Sequence, residues 1–151
     1  MSEPFRRAAD ADIEAIVELM AAYYEEEAYP FEVVTARDAL AALVADERLG
    51  AVWVADIHGY IAGYFAVTVG FSLESGGRDA FLDELYLREG ARGRGLGAAA
   101  LDLAEAWCRE RGVRVLHLEV ERHRIAAQGM YRRRGFVERD RHLLSKPIPS
   151  A

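Results

Sequence analysis

Apolar residues change their spacing twice along this chain, and that limits the folds open to it. Ile13, Ile16, Val17, Met20, Tyr23 and Tyr24 recur at three and four, the period of one helix face, behind Asp10 or Asp12 as a cap. After Pro30, Leu40, Leu43 and Val44 repeat the pattern within Thr35 to Ala45, with Thr35 as the cap. Ala51 to Ile57 and Tyr60 to Phe71 are instead rich in Val, Ile, Trp, Tyr and Phe, and the His58-Gly59 pair between them predicts a tight hairpin turn. A third extended run, Asp79 to Leu87, follows Ser75-Gly76-Gly77, and strict alternation puts Phe81, Leu85 and Leu87 on one face. The helical period returns through Leu96, Ala99, Ala100, Leu103, Ala104, Trp107 and Cys108, with Gly112 where a C-terminal cap belongs. Val113 to Val120 reads as a strand and Ile125 to Arg134 as a short helix stopped by Gly135. Phe136 to Glu138 and Arg141 to Ser145 read as closing strands. The order is α+β within one domain, 1–151, with a strand-helix-strand unit from Phe81 to Val120 at its centre.

Composition narrows the function classes. The chain has 151 residues, 52% hydrophobic, enough for one sizeable core. No apolar run approaches the roughly 20 residues that cross a bilayer, and Met1 to Arg7 lacks the apolar stretch of a signal peptide, so a cytoplasmic protein with no membrane partner is expected. Cys108 is the lone cysteine, and His58, His117, His123 and His142 show no ligand spacing, so no disulfide framework or metal site is expected. Residues 1–75 carry 14 acidic against 4 basic side chains, a balance of -10, and residues 76–151 carry 11 against 15, a balance of +4. This polarity offers no whole-domain basic field for nucleic acid. It suits a polyanionic cofactor on the second half and a cationic partner on the first.

Arg92-Gly93-Arg94-Gly95-Leu96-Gly97 lies directly before the third helix. Glycines there let backbone amides approach an anion at the positive end of the helix dipole, and two arginines add charge, which is the chemistry of a pyrophosphate site. Gly95, Gly97 and Ala100 also fit a dinucleotide fingerprint, with Glu119 at the end of the next strand. Against an oxidoreductase stand the interposed residues Arg88 to Arg94, the charged Asp83-Glu84 inside the preceding strand, and the lack of a second nucleotide-binding half after residue 120.

Taken together, Asp83-Glu84-Leu85-Tyr86-Leu87, then Arg92-x-x-Gly95-x-Gly97, then Leu118-Glu119-Val120, then Ala127 with Met130-Tyr131 and Gly135-Phe136, resemble the GNAT superfamily of N-acetyltransferases. The resemblance covers nearly the whole chain, including the opening Phe5-Arg6-Arg7. It implies a mixed, mostly antiparallel twisted sheet of six to seven strands flanked by about four helices, and acetyl-CoA as cofactor. It places the pyrophosphate on the backbone of Arg92, Gly93, Arg94, Gly95, Leu96 and Gly97, and the pantetheine arm along Leu85, Tyr86 and Leu87. A homodimer is the family-level expectation. Where the family usually has asparagine this chain has Arg124, which puts one cofactor contact in doubt and leaves Arg124 to meet a phosphate instead.

An alkylamine has a pKa of about 10 and is almost wholly charged at neutral pH, so acetyl transfer to it needs a proton acceptor. Glu84 matches the family's strand carboxylate, and burial beside Leu85 and Phe81 would raise its pKa usefully. Tyr131 matches the family tyrosine that protonates the departing thiolate. Tyr24, Glu25, Glu26, Glu27, Tyr29 and Phe31 fall between the first two helices, the acceptor wall in this family. Carboxylates with aromatic faces suit a cationic amine: a polyamine, a lysine side chain, an aminoglycoside-like compound or a protein N-terminus. The reading is direct acetyl transfer to a primary amine in a ternary complex. The alternative of another class is an acyl-CoA-binding regulatory module without turnover, and the Glu84 and Tyr131 pair favours the enzyme.

Overall fold

A computed structural model describes residues 4–151. By contact density these fall into two compact units, one ending at Glu119 and one beginning at Val120. The first unit holds a five-stranded sheet in sequential order: β1 (Phe5–Arg7), β2 (Gly50–Ile57), β3 (Tyr60–Ser72), β4 (Gly77–Leu87) and β5 (Val115–Leu118). All neighbours run antiparallel except β4 and β5, which are parallel and joined through the helix α3 (Leu96–Glu110). Two helices, α1 (Ile13–Glu27) and α2 (Val33–Ala45), lie between β1 and β2. The second unit carries α4 (Ile125–Arg133). The α+β class and the mostly antiparallel sheet are as expected. No helix of the described residues is long and apolar enough to cross a membrane.

The sheet buries both faces, and alternation decides what each receives. Val52, Val54, Tyr64, Ala66 and Tyr86 pack with Ile16, Val17, Leu19 and Met20 of α1 and Leu40 of α2. Trp53 and Phe65 point the opposite way, stacked at 4.6 Å, and Trp107 of α3 meets Trp53 edge-on at 5.9 Å. Gly50 starts β2 at φ +148, and a Cβ there would lie 1.9 Å from the Val67 carbonyl oxygen, so only glycine fits.

Several local expectations are corrected. The cap of α2 is Glu32, not Thr35: its carboxylate accepts from the amides of Val34 at 3.0 Å and Thr35 at 3.1 Å, which starts the helix two residues earlier. Asp12 does not cap α1 with its side chain; it is buried and held by the Arg6 guanidinium at 2.8 and 2.9 Å. Among the described residues the sheet has five strands rather than about six to seven. Phe136 to Glu138 and Arg141 to Ser145 form no ladder, and Val137, Leu143 and Leu144 are exposed, because an alternating run becomes a strand only against a partner.

The correction with most consequence is a bulge in β4. Ala66 faces Glu84 but Val67 faces Leu82, so Asp83 is an inserted residue and the side-chain phase flips across it. Phe81 therefore shares a face with Glu84 and Tyr86, while Leu85 and Leu87 share the opposite face with Ala80 and Leu82. Strict alternation, which grouped Phe81 with Leu85 and Leu87, fails at that one residue.

Candidate active site

Beyond the bulge, β4 loses its second neighbour. Its pairing with β5 stops at Leu82 opposite Leu118, so Asp83 to Leu87 have a strand on one side only within the sheet. Arg88 donates its amide to the Ala62 carbonyl at 2.8 Å, and the antiparallel ladder alternates from there. Tyr86 thus bonds back to β3, while the amides and carbonyls of Leu85 and Leu87 face the open edge. An extended amide-bearing chain is the natural partner of such an edge.

The glycine-rich segment follows a single 3-10 turn, Glu89–Ala91. Gly95 is the residue before α3, at φ +81, and no side chain caps the helix there. The first amides of α3, from Leu96 and Gly97 onward, are thus left to an anion. A Cβ on Gly93 or Gly95 would meet nothing within 4 Å, so the approach is open, and Arg94 stands exposed beside it. The residues present fit a pyrophosphate held by backbone donors.

Arg92 does something the sequence did not show. Its Nε donates to the Leu87 carbonyl at 2.9 Å, its Nη2 to Glu26 at 3.0 and 3.3 Å, and its guanidinium lies over the Tyr86 ring at 5.4 Å. Tyr86 in turn donates its hydroxyl to Glu26 at 2.5 Å. Arg92 therefore braces the loop against both the β4 edge and the end of α1. Arg88 turns away from this loop, donating to the Ile61 carbonyl at 3.2 Å beside Tyr60.

Glu84 sits on the α1 face of β4, half-buried, with each carboxylate oxygen accepting from a phenol. Tyr64 donates to Oε1 at 2.7 Å, and Tyr24 of α1 donates to Oε2. Burial pushes the carboxyl above the ordinary carboxylate range, the two phenol donors pull it down, and the neighbouring Asp83 charge adds to the rise. Asp83, exposed at the bulge, is also raised, by desolvation from the protein packed around its carboxyl. Of the surroundings expected of Glu84, Leu85 projects from the opposite face, while the bulge brings Phe81, 40% exposed, onto the same one; the groups that hold the carboxylate are the two tyrosines.

The aromatic wall forms around Tyr24. Its ring meets Tyr23 at 5.5 Å, Tyr29 at 5.8 Å and Phe31 at 5.4 Å, all edge-on. Glu25 is exposed and Glu27 half-buried, while Glu26 is taken up by Tyr86 and Arg92. Tyr64 was missed as a site residue; finding it requires knowing that β3 residue 66, not 67, pairs with Glu84. His117 and Asp79, 3.2 Å apart on the paired half of β5 and β4, meet only through the parallel register of those two strands.

In the second unit Tyr131 lies on α4, edge-on to Phe136 at 5.9 Å. Desolvation raises its hydroxyl above the ordinary tyrosine range, while the Arg124 charge pulls it down. Arg124 immediately precedes α4, and its carbonyl accepts from the Gln128 amide at 3.0 Å. The Gln128 side chain donates to the carbonyls of Glu121 at 3.1 Å and Arg122 at 2.9 Å. That amide steadies the turn in which the family's asparagine is replaced.

Residues 13–136 match the model of the acetyltransferase (GNAT) family. The chain belongs to that family. No curated protein matches it significantly in sequence. Among solved structures, an integron cassette protein from the mobile metagenome of Cole Harbour Salt Marsh is 35% identical, with 98% of this chain and 92% of that one covered at a TM-score of 0.86. A predicted acetyltransferase from Clostridium acetobutylicum, solved with acetyl-CoA, is 19% identical over 94% of both chains at a TM-score of 0.81. Aminoglycoside N-acetyltransferase AAC(6')-Iy in complex with CoA is 14% identical over 95% of this chain and 93% of that one, also at 0.81. The last two share the fold with this GNAT acetyltransferase.

Proposed function

We propose that this chain transfers an acetyl group from acetyl-CoA directly to a cationic primary amine, within a ternary complex. Acetyl-CoA is the acetyl donor that accompanies membership of the family, and it supplies the acetyl group as a thioester when bound. The amides opening α3 hold its pyrophosphate, and the edge-facing amide and carbonyl of Leu85 and the amide of Leu87, whose carbonyl is taken by Arg92, receive its amide-bearing arm. The observation that carries the amine reading is Glu84, a half-buried carboxylate with a raised pKa beside the aromatic wall of Tyr24, Tyr29 and Phe31. Such a group takes a proton from an ammonium that neither water nor an exposed carboxylate accepts as well near neutral pH. Glu25 and Glu27, in a half of balance -10, attract the cation. Tyr131 protonates the departing thiolate; its role rests on the Tyr-x-x-x-Gly-Phe motif.

CoA release measured across polyamines, lysine peptides and aminoglycosides tests the reading. Glu84→Gln should slow the fastest of them by about 10² near pH 7 and recover in part at alkaline pH, where free amine is abundant. Equal loss at every pH would make Glu84 an electrostatic anchor instead. Acetyl-CoA binding without CoA release to any amine would leave a binding module.

A further inference from the structure

Both oxygens of Glu84 already accept a phenol hydrogen, and the two donors differ in what they can reach. Tyr64 is 1% exposed and lies within the α1 side of the core, so its hydroxyl ends a path rather than opening one. Tyr24 stands on the last turn of α1 with its ring against Tyr29 and Phe31, and its hydroxyl covers Oε2. A proton arriving from the aromatic wall meets the Tyr24 oxygen before it meets the carboxylate.

We propose that Tyr24 is a catalytic residue of the acetyl transfer, relaying the proton of the acceptor ammonium to Glu84. This rests on the reading of Glu84 as the base. As the ammonium N–H bond breaks, its proton passes to the Tyr24 oxygen, and the Tyr24 O–H proton passes to Glu84 Oε2. The amine is left neutral with a free electron pair, Tyr24 is unchanged, and the carboxylate has become a carboxylic acid. No oxidant or further reactant is needed. The two transfers are concerted, because a standing phenolate would have to survive partial burial beside the charges of Glu84 and Asp83, which hold the Tyr24 hydroxyl well above its ordinary range. Tyr24 therefore cannot store a negative charge, but it passes protons in a preset direction, since its hydroxyl is already aimed at the carboxylate. The relay also narrows the acceptor: the amine must reach the aromatic wall end-on, which favours an unhindered primary amine over a secondary one.

Two variants and two readouts test this. Tyr24→Phe should lower kcat/KM for the fastest panel amine by about 10² at pH 7, with partial alkaline recovery, and should turn a curved proton inventory in mixed H2O and D2O into a straight one. Tyr64→Phe removes an equivalent hydrogen bond from the same carboxylate, so it should move the acid limb of kcat/KM upward and keep the curvature. Acetyl-CoA titration calorimetry and thermal melting establish that both variants are folded. Without any acceptor, 13C-detected titration of Glu84 should show an upward pKa shift in Tyr24→Phe; no shift means the hydroxyl is not on that carboxylate and overturns the proposal. Parental rate and curvature in Tyr24→Phe overturn it as well. If Glu84→Gln also keeps the parental rate, the base reading has failed; if Glu84→Gln is slow while Tyr24→Phe is not, only the relay has.

Discussion

Arg92 reaches back 66 residues to bridge both oxygens of Glu26, at 3.0 and 3.3 Å, and so fastens the end of α1 to the start of the glycine-rich loop before α3. One member of an acidic run that reads as an attractant for amines is thus taken up by the loop instead. Both side chains are more than a third exposed, 39% and 38%, so the pair contributes about 0.3–1 kcal/mol and is screened by salt. Glu26→Gln should weaken acetyl-CoA binding by about two- to fivefold at low salt. Glu25→Gln should leave it unchanged. Calorimetric titration of both variants checks the distinction, and equal affinities would reduce the Glu26–Arg92 contact to decoration.

Gly95 is the second test of the cofactor site. Its φ of +81 disfavours any side chain, and the space around it is open on the side from which an anion approaches. Gly95→Val should abolish measurable acetyl-CoA binding while the far-UV circular dichroism stays that of the parent. Unchanged affinity in the folded variant would move the pyrophosphate elsewhere.

Tyr131→Phe keeps the ring that packs on Phe136 and removes only the hydroxyl. Acetyl-CoA affinity should hold while kcat falls by about 10² or more. A variant as fast as the parent would make Tyr131 a packing residue.

Asp12 is predicted to matter for stability alone. Hydrogen bonding to Arg6 holds its carboxyl below the ordinary carboxylate range, against a burial penalty, and the Ala9 amide adds a third bond at 2.8 Å. Asp12→Ala should cost about 1–2 kcal/mol, chiefly by leaving the Ala9 amide without its acceptor, since the exposed Arg6 guanidinium keeps Asp56 at 2.9 Å. Because the folded pKa is depressed, the stabilisation is complete above the ordinary carboxylate range and disappears as pH falls through the folded value. Urea unfolding at pH 7 and near pH 3 should therefore show a wide gap between parent and variant that narrows in acid.

Glu84 carries the opposite sign. Its folded pKa is raised, so it detracts from stability once pH rises through that value. Glu84→Gln should melt at or above the parental temperature at pH 8 while losing activity, and a large fall in melting temperature would mean that the phenol bonds outweigh the buried charge.

Much of this molecule was legible in its sequence because it is local. Periodicity places α1, β2, β3 and α3; the positive φ values at His58 and Gly59 match the turn read from that pair; and Gly95, at positive φ, directly precedes a helix that no side chain caps, where the glycine-rich run places a helix start. Propensity, alternation and turn chemistry act over a few residues, so the chain states them directly. What only the tertiary structure decided depends on register and on contacts across long separations. A single inserted residue, Asp83, rotates Glu84 and Tyr86 onto the α1 face, and no pattern within β4 announces it, because a bulge is a relation between two strands. The partners of Glu84 come from residues 20 and 60 positions away, and the anchor of Arg92 from 66. Which of seven tyrosines meets which of many carboxylates is settled by packing α1 on the sheet, where buried polar groups must find partners and each choice excludes the others.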